Sequence, residues 1–349
     1  MTPPGRAAIG MARVQILASA LVGAVLLALV AVAVWALNDT PGRRASVPAT
    51  QSVTVLAVGD IACEPGLETT TTACRHEEVG DLIADAKPHR FIALGDLQYQ
   101  EARIEDFLGD GAYDDTFGDL QPITMPVLGN HEHLDGTDGY FDYFYGQDND
   151  SGDFGERPIG YYTSTLGAWN FIALDSDCDE NGVIGGCGKD GPQYRWLEQR
   201  LEESTAACTL VAMHHPRWST GAKHGSTPEL ADLWDLMADH GVDVAIAGHN
   251  HSSEVFEPIG RSGSGSSPEL SPTGIRSFVA GAGGANFQGL TEDSDSLVDA
   301  TVARDSSAFG PLELTLGEGT YSWRFLPIDG MEFESDGTDG SFSGDDSCR

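Results

Sequence analysis

The chain reads as an α/β protein on three observations. Short apolar runs close on polar residues at VTVLAVGD, FIALGD, PVLGN, NFIALDSD, CTLVAMHH and DVAIAGHNH, as strands buried on both faces require. Helical spacing lies between several of them, at 76–86, 192–204 and 229–240. Five of the runs end in clusters of Asp, Asn, Tyr and His, and an α/β domain carries its functional residues on the loops after its strand ends.

In chain order, residues 1–13 form a short tail with Arg6 and Arg13, followed by an uncharged apolar run, 14–37, long enough to span a bilayer as a helix. Positive-inside bias keeps the tail cytoplasmic and exports everything after the run. A cleaved signal peptide, with Val34 and Ala36 as small residues before the cut, is the competing reading; the length of the run favours an uncleaved anchor. Either way the main domain is extracytoplasmic, membrane-anchored or secreted. Residues 38–51 have the Pro, Thr, Ser and Arg content of a linker.

The main domain is expected over 52–330. Its first helix, 76–86, aligns Val79, Leu82, Ile83 and Ala86; the second, 192–204, opens on Pro192 and aligns Trp196, Leu197 and Leu201; the third, 229–240, aligns Leu230, Leu233, Leu236 and Met237. Polar insertions at 100–122 and 132–160 are expected to wall the site, and 260–274 reads as a flexible loop. SFVAGAGGANF and PLELTLGEGTYSWRFLPI read as strands finishing a sheet. The GAGG at 281–284 lacks a Walker lysine and a dinucleotide fingerprint, so it reads as close backbone packing near the site. The acidic, Gly/Ser-rich tail 331–349 is expected to be solvated unless Cys348 pins it.

The formal charge of −35, from 54 acidic and 19 basic residues, excludes a nucleic-acid-binding surface and leaves the N-terminal helix as the membrane contact. Such a surface repels phosphorylated molecules at long range. A phosphate site here must contain its own positive charge, which metal ions would provide. Six cysteines in an exported chain imply bridges. Cys63 with Cys74 and Cys178 with Cys187 would each close a short polar loop, leaving Cys208 for Cys348 by elimination. A zinc site built from cysteines is the weaker alternative, because no C-x-x-C occurs.

The five clusters are Gly59-Asp60, Gly95-Asp96-Leu97-Gln98-Tyr99, Gly129-Asn130-His131-Glu132, Val211-Ala212-Met213-His214-His215 and Gly248-His249-Asn250-His251. Taken singly, each has a plain explanation as a turn, a rim aromatic or a surface histidine pair. Together they hold oxygen and imidazole ligands for two metals. No G-x-S-x-G elbow offers a serine nucleophile instead.

In order and content, GDIA, GDLQY, GNHE, VAMH and GHNH over about residues 52–330 resemble the calcineurin-like metallophosphoesterases, and within them the purple acid phosphatase branch. GYFDYF, FIALDSD and FVAGAGGA are similar to segments of bacterial relatives. The resemblance implies a four-layer α/β/β/α sandwich of two mixed sheets, here preceded by the N-terminal hydrophobic helix. It implies that Asp60, Tyr99 and His251 bind one metal, that Asn130, His214 and His249 bind the other, and that Asp96 bridges them. The carboxylates and phenolate suit Fe(III), and the amide and imidazoles suit Zn(II), Mn(II) or Fe(II). Where ordinary members place a histidine ligand two residues after the first Asp, this chain has Ala62, and Tyr99 fills the vacancy.

The implied activity is hydrolysis of phosphate monoesters by attack of a metal-bound hydroxide on a small phosphorylated substrate. His131 stabilises the phosphoryl group or protonates the leaving oxygen, with His224 a second candidate; Glu132 and His215 hold neighbours in place. Two rivals stand beside it. One is a phosphodiesterase acting on nucleotides or lipid head groups with the same metals. The other is a non-catalytic cell-surface binding protein that keeps a metal centre. No protein partner is inferred.

Overall fold

Val53–Val58 (β1) alternates its side chains between two apolar layers: Val53, Val55 and Ala57 face one, Leu56 and Val58 the other. A strand so placed needs cover on both sides. The computed structural model describes residues 52–134, 136–146, 151–152, 154–179, 181–261, 265, 267–292, 296–334 and 342–349. The expected N-terminal helix and linker lie outside these residues; among the described residues no helix is long and apolar enough to cross a membrane.

After β1 come β2 (Arg90–Ala93), β3 (Thr124–Pro126), β4 (Ser151–Gly152), β5 (Gly155–Glu156), β6 (Tyr162–Leu166), β7 (Trp169–Ala173) and β8 (Cys208–Ala212). The later strands are β9 (Val244–Ala247), β10 (Ser253–Phe256), β11 (Arg276–Ala280), β12 (Thr301–Asp305), β13 (Leu312–Leu316), β14 (Thr320–Phe325) and β15 (Ser343–Ser347). One sheet runs β15-β14-β13-β1-β2-β3 and the other β12-β10-β11-β9-β8-β7-β6, with β4 and β5 a separate small hairpin. Both sheets are mixed: β1, β2 and β3 are parallel, as are β7, β8, β9 and β11, while β13 runs antiparallel to β1 and β10 antiparallel to β11.

One apolar layer, including Val55, Ile92, Leu210 and Ile246, lies between the sheets. The outer face of the first sheet carries α1 (His76–Ala86), α2 (Ile104–Phe107), α3 (Tyr113–Phe117) and, after the short α4 (Asn130–His133) that follows β3, α5 (Asp138–Tyr145); the second carries α6 (Pro192–Glu203) and α7 (Ala231–Asp239). This is the four-layer sandwich that the resemblance implied. The three helices read from spacing lie where expected, α7 being preceded by one 3-10 turn, Pro228–Leu230.

The insertions at 100–122 and 132–160 differ from expectation. Among their described residues only Gln100 reaches the central cavity. Their aromatic residues, Phe107, Tyr113, Phe117, Tyr140 and Phe141, are buried instead, with Phe107 stacked 4.8 Å from Tyr143. Large rings lose more water-exposed area by layering on the sheet than by standing over a polar site. The 260–274 loop falls partly outside the described residues, at 262–264 and 266.

The two sheets are tied at both ends. Disulfides join Cys63 to Cys74, Cys178 to Cys187 and Cys208 to Cys348. The last crosses between sheets, because Cys348 follows β15 and Cys208 begins β8. Beside it Arg276 Nη2 of β11 donates to Asp346 of β15 at 3.1 Å. At the opposite end, where the polar clusters lie, His133 Nε2 of α4 sits 3.1 Å from the Asp175 carboxylate that follows β7, both side chains buried. Burial opposes the charge on His133, but the Asp175 partner raises its pKa above the ordinary imidazole value.

Paired Cys208→Ser and Cys348→Ser replacement is expected to lower the unfolding free energy by about 2–5 kcal/mol in urea titration. The loss should exceed that for the Cys178/Cys187 pair, whose separation is 9 residues rather than 140. The raised His133 pKa contributes stability that is present in full below the unfolded value of about 6.5 and fades as pH rises through the folded value. The stability difference between wild type and His133→Gln should therefore shrink as pH rises above neutrality; a difference that grows would contradict the ion pair.

Candidate metal centre

Each polar cluster follows the C-terminal end of a parallel strand: Asp60 follows β1, Asp96 β2, Asn130 β3, His214 β8, and His249 and His251 β9. Parallel direction therefore delivers all of them to one pole. The turns are tight. Asp60, Asp96 and His249 hold positive φ of 60°, 49° and 67°, a conformation costing non-glycine residues of the order of 1–3 kcal/mol. The loops brace one another, with Asp60 N donating to Gly95 O and Ile61 N to Asp96 O at 3.1 and 2.9 Å.

All seven candidate ligands converge, in two sets. Tyr99 Oη lies 3.2 Å from Asp60 Oδ1, 3.3 Å from Asp96 Oδ2 and 3.1 Å from His251 Nε2. His214 Nε2 lies 3.3 Å from Asp96 Oδ1, 3.2 Å from Asn130 Oδ1 and 3.3 Å from His249 Nδ1. Asp96 turns one oxygen to each set. Ala62 is buried and contributes no donor, so the phenol of Tyr99 stands where the resemblance implied.

The remaining ring nitrogens fix which lone pairs point inward. His214 Nδ1 donates to Leu94 O at 2.7 Å and His251 Nδ1 to Asn286 O at 2.5 Å, leaving Nε2 of both rings facing the acceptors. Three acceptors meet around His214 Nε2, and the cluster Asp96, His214, His249 could hold a cation. Such a gathering is unfavourable without positive charge. A proton is one source: burial opposes it, yet Asp96 and Asp60 push the His214 pKa up to about 10. Burial likewise opposes the Asp96 charge, but His214 and His131 hold it well below the usual carboxylate range. Burial, then Asp60 and Asp96, drives the Tyr99 phenol far above its ordinary value. A hard, highly charged cation is what would make that phenol a ligand. The donor set therefore fits two metal ions.

His131 lines the cavity above these sets. Its backbone N donates to Asp96 Oδ1 at 2.9 Å and its Nδ1 to Gln100 O, leaving Nε2 3.8 Å from Asp96 Oδ2. His224 lines the same cavity, its ring 4.3 Å from that of His249. Glu132 ligates nothing here and instead accepts from the backbone N of Asp96, Leu97 and Gly129 at 2.8, 2.8 and 2.7 Å. A side chain at Gly129 would stand 2.4 Å from Asp96 N, so the approach needs glycine. The GAGG segment packs as expected: a Cβ on Gly281 would stand 2.7 Å from Asp60 Oδ2.

Several supports were not identified from sequence. Ser176 Oγ accepts from the backbone N of His214 and His215 at 3.1 and 2.7 Å, and Gln288 Nε2 lies 3.1 Å from His251 Nε2. His215 is a packing neighbour, its ring 4.2 Å from His249; burial, then the His214 charge, lowers its pKa to about 3. The cavity walls come from the Cys63–Cys74 loop, Lys223-His224 and Ala285–Gln288. In sequence, Ser176 signals itself only by its place in the polar end of FIALDSD, after β7.

Acid phosphatase A of Cryphonectria parasitica is 25% identical over 156 residues, 40% of this chain and 31% of its own length. Mouse tartrate-resistant acid phosphatase type 5 is 25% identical over 234 residues, 60% of this chain and 69% of that enzyme. The chain thus spans about a third of the fungal relative and about two thirds of the mouse one. Among solved structures, a purple acid phosphatase from yellow lupin seeds superposes with TM-score 0.65 at 18% identity, over 86% of this chain and 55% of that one. The anchor in the inner membrane complex of Plasmodium superposes with TM-score 0.57 at 16% identity, over 83% and 89%. Residues 53–253, more than half of the chain, match the family model for calcineurin-like phosphoesterases, and the chain belongs to that family.

Proposed function

We propose that this protein is a dinuclear-metal phosphoester hydrolase that acts on phosphate monoesters outside the cytoplasm. The observation that carries the reading is the Asp96 carboxylate, with Oδ2 against Tyr99 and Oδ1 against His214. Asp60, Tyr99 and His251 would hold one ion, Fe(III), and Asn130, His214 and His249 the other, Zn(II), Mn(II) or Fe(II), with Asp96 bridging. When bound, the ions supply the nucleophile near neutral pH and neutralise charge on the phosphoryl oxygens.

The chain's own residues do the rest. With Nδ1–H committed to Gln100 O, His131 presents Nε2 to the cavity, where the imidazolium form donates its Nε2 proton to a phosphoryl oxygen or to the departing alcohol. His224 shares that face. Glu132 fixes the Asp96 and Gly129 backbones so that the donors need no rearrangement when substrate enters. A cavity of about 250 Å³ suits a small phosphorylated substrate. Three disulfides agree with an oxidising compartment, reached through the 14–37 segment as anchor or signal.

A fold of this kind also serves as an anchor in the Plasmodium neighbour, so side chains, not fold, distinguish catalysis from binding. Asp96→Asn is expected to lower kcat/KM on an aryl monoester by more than about 100-fold and to reduce bound metal by elemental analysis. Tyr99→Phe should remove any visible phenolate-to-iron band in the metallated protein. A metal-replete wild type that cleaves only the matched diester overturns the monoester reading; one that cleaves neither favours a binding role.

A further inference from the structure

Lys223 is the one Lys or Arg among the described residues lining the central cavity. Depth orders that lining. Asp96, Tyr99 and His251 are 2%, 7% and 5% exposed and form the floor, whereas Lys223 is exposed. It lines the cavity next to His224, whose ring lies 4.3 Å from that of His249 in the second donor set. Among the described residues the lysine ion pair is that of Lys189 with Asp232, and none involves Lys223.

A substrate whose phosphoryl group sits on the floor must direct its leaving group to the mouth. The charge needed by the phosphoryl group is concentrated at the floor. An unpaired ammonium at the mouth of a protein with formal charge −35 is therefore positioned for negative charge elsewhere on the substrate. Resting on the monoesterase reading, we propose that Lys223 is a specificity-determining residue. It binds a second anionic group, carboxylate or phosphate, carried by the leaving group. Phosphorylated hydroxy acids and diphosphates are compact molecules of that class.

The test compares three substrates on the metal-loaded, full-length protein: 4-nitrophenyl phosphate, whose leaving group has no carboxylate or phosphate, 3-phosphoglycerate and pyrophosphate. Lys223→Ala is expected to lower kcat/KM for the two anionic substrates, relative to the aryl ester, by about fivefold to tenfold, carried by KM. Lys223→Arg should restore most of the ratio, and added salt should compress it in wild type. A change in only one anionic substrate identifies the group recognised. Equal changes on all three, or no recovery with arginine, overturn the assignment while the phosphatase reading stands. Failure of wild type to hydrolyse any of the three overturns both.

Discussion

The structure depends on one arrangement, the burial of several acceptor atoms around the shared Asp96 carboxylate. Oxygens from Asp60, Asp96, Tyr99 and Asn130 and nitrogens from His214, His249 and His251 meet at one pole in two sets, centred on Tyr99 Oη and His214 Nε2 and joined through Asp96. Without positive charge, that gathering is costly in a low-dielectric interior. The rest of the fold makes it tolerable. Parallel strands bring the loops together, tight turns hold Asp60, Asp96 and His249 at positive φ, and Glu132 immobilises the backbone beneath.

These constraints explain the use of glycine around the centre. The backbone at Gly129 passes so close to Asp96 that no Cβ fits, and the same holds for Gly281 against Asp60. Such contacts leave the donor positions little freedom. A site built this way needs little rearrangement as charge develops on a substrate, which is the physical content of preorganisation.

Much of this was legible in the sequence because strand, turn and donor are adjacent along the chain. GDLQY, just past the end of β2, carries the turn, Asp96 and Tyr99 together, and GHNH follows β9 with the turn, His249 and His251. The layer order came from resemblance and was matched by two mixed sheets. Contacts set by register between distant segments were not legible. His133 meets Asp175 across 42 residues, and Ser176 reaches His214 across 38; neither pair has a local signature. The insertions misled because aromatic and acidic residues read alike on a cavity wall and on a helix layer, and only packing separates the two. Lys223 passed unnoticed for a related reason: an isolated lysine acquires meaning from the cavity beside it.

The bond between Cys208 and Cys348 bears on how the protein is made. During synthesis Cys208 emerges with its partner still 140 positions further along the chain, while Cys63, Cys74, Cys178 and Cys187 are already present. For that interval the one thiol without a native mate faces four earlier cysteines. Closure of the two short loops before Cys348 emerges would remove those wrong partners before the right one exists, so the local braces would also guard the long bond.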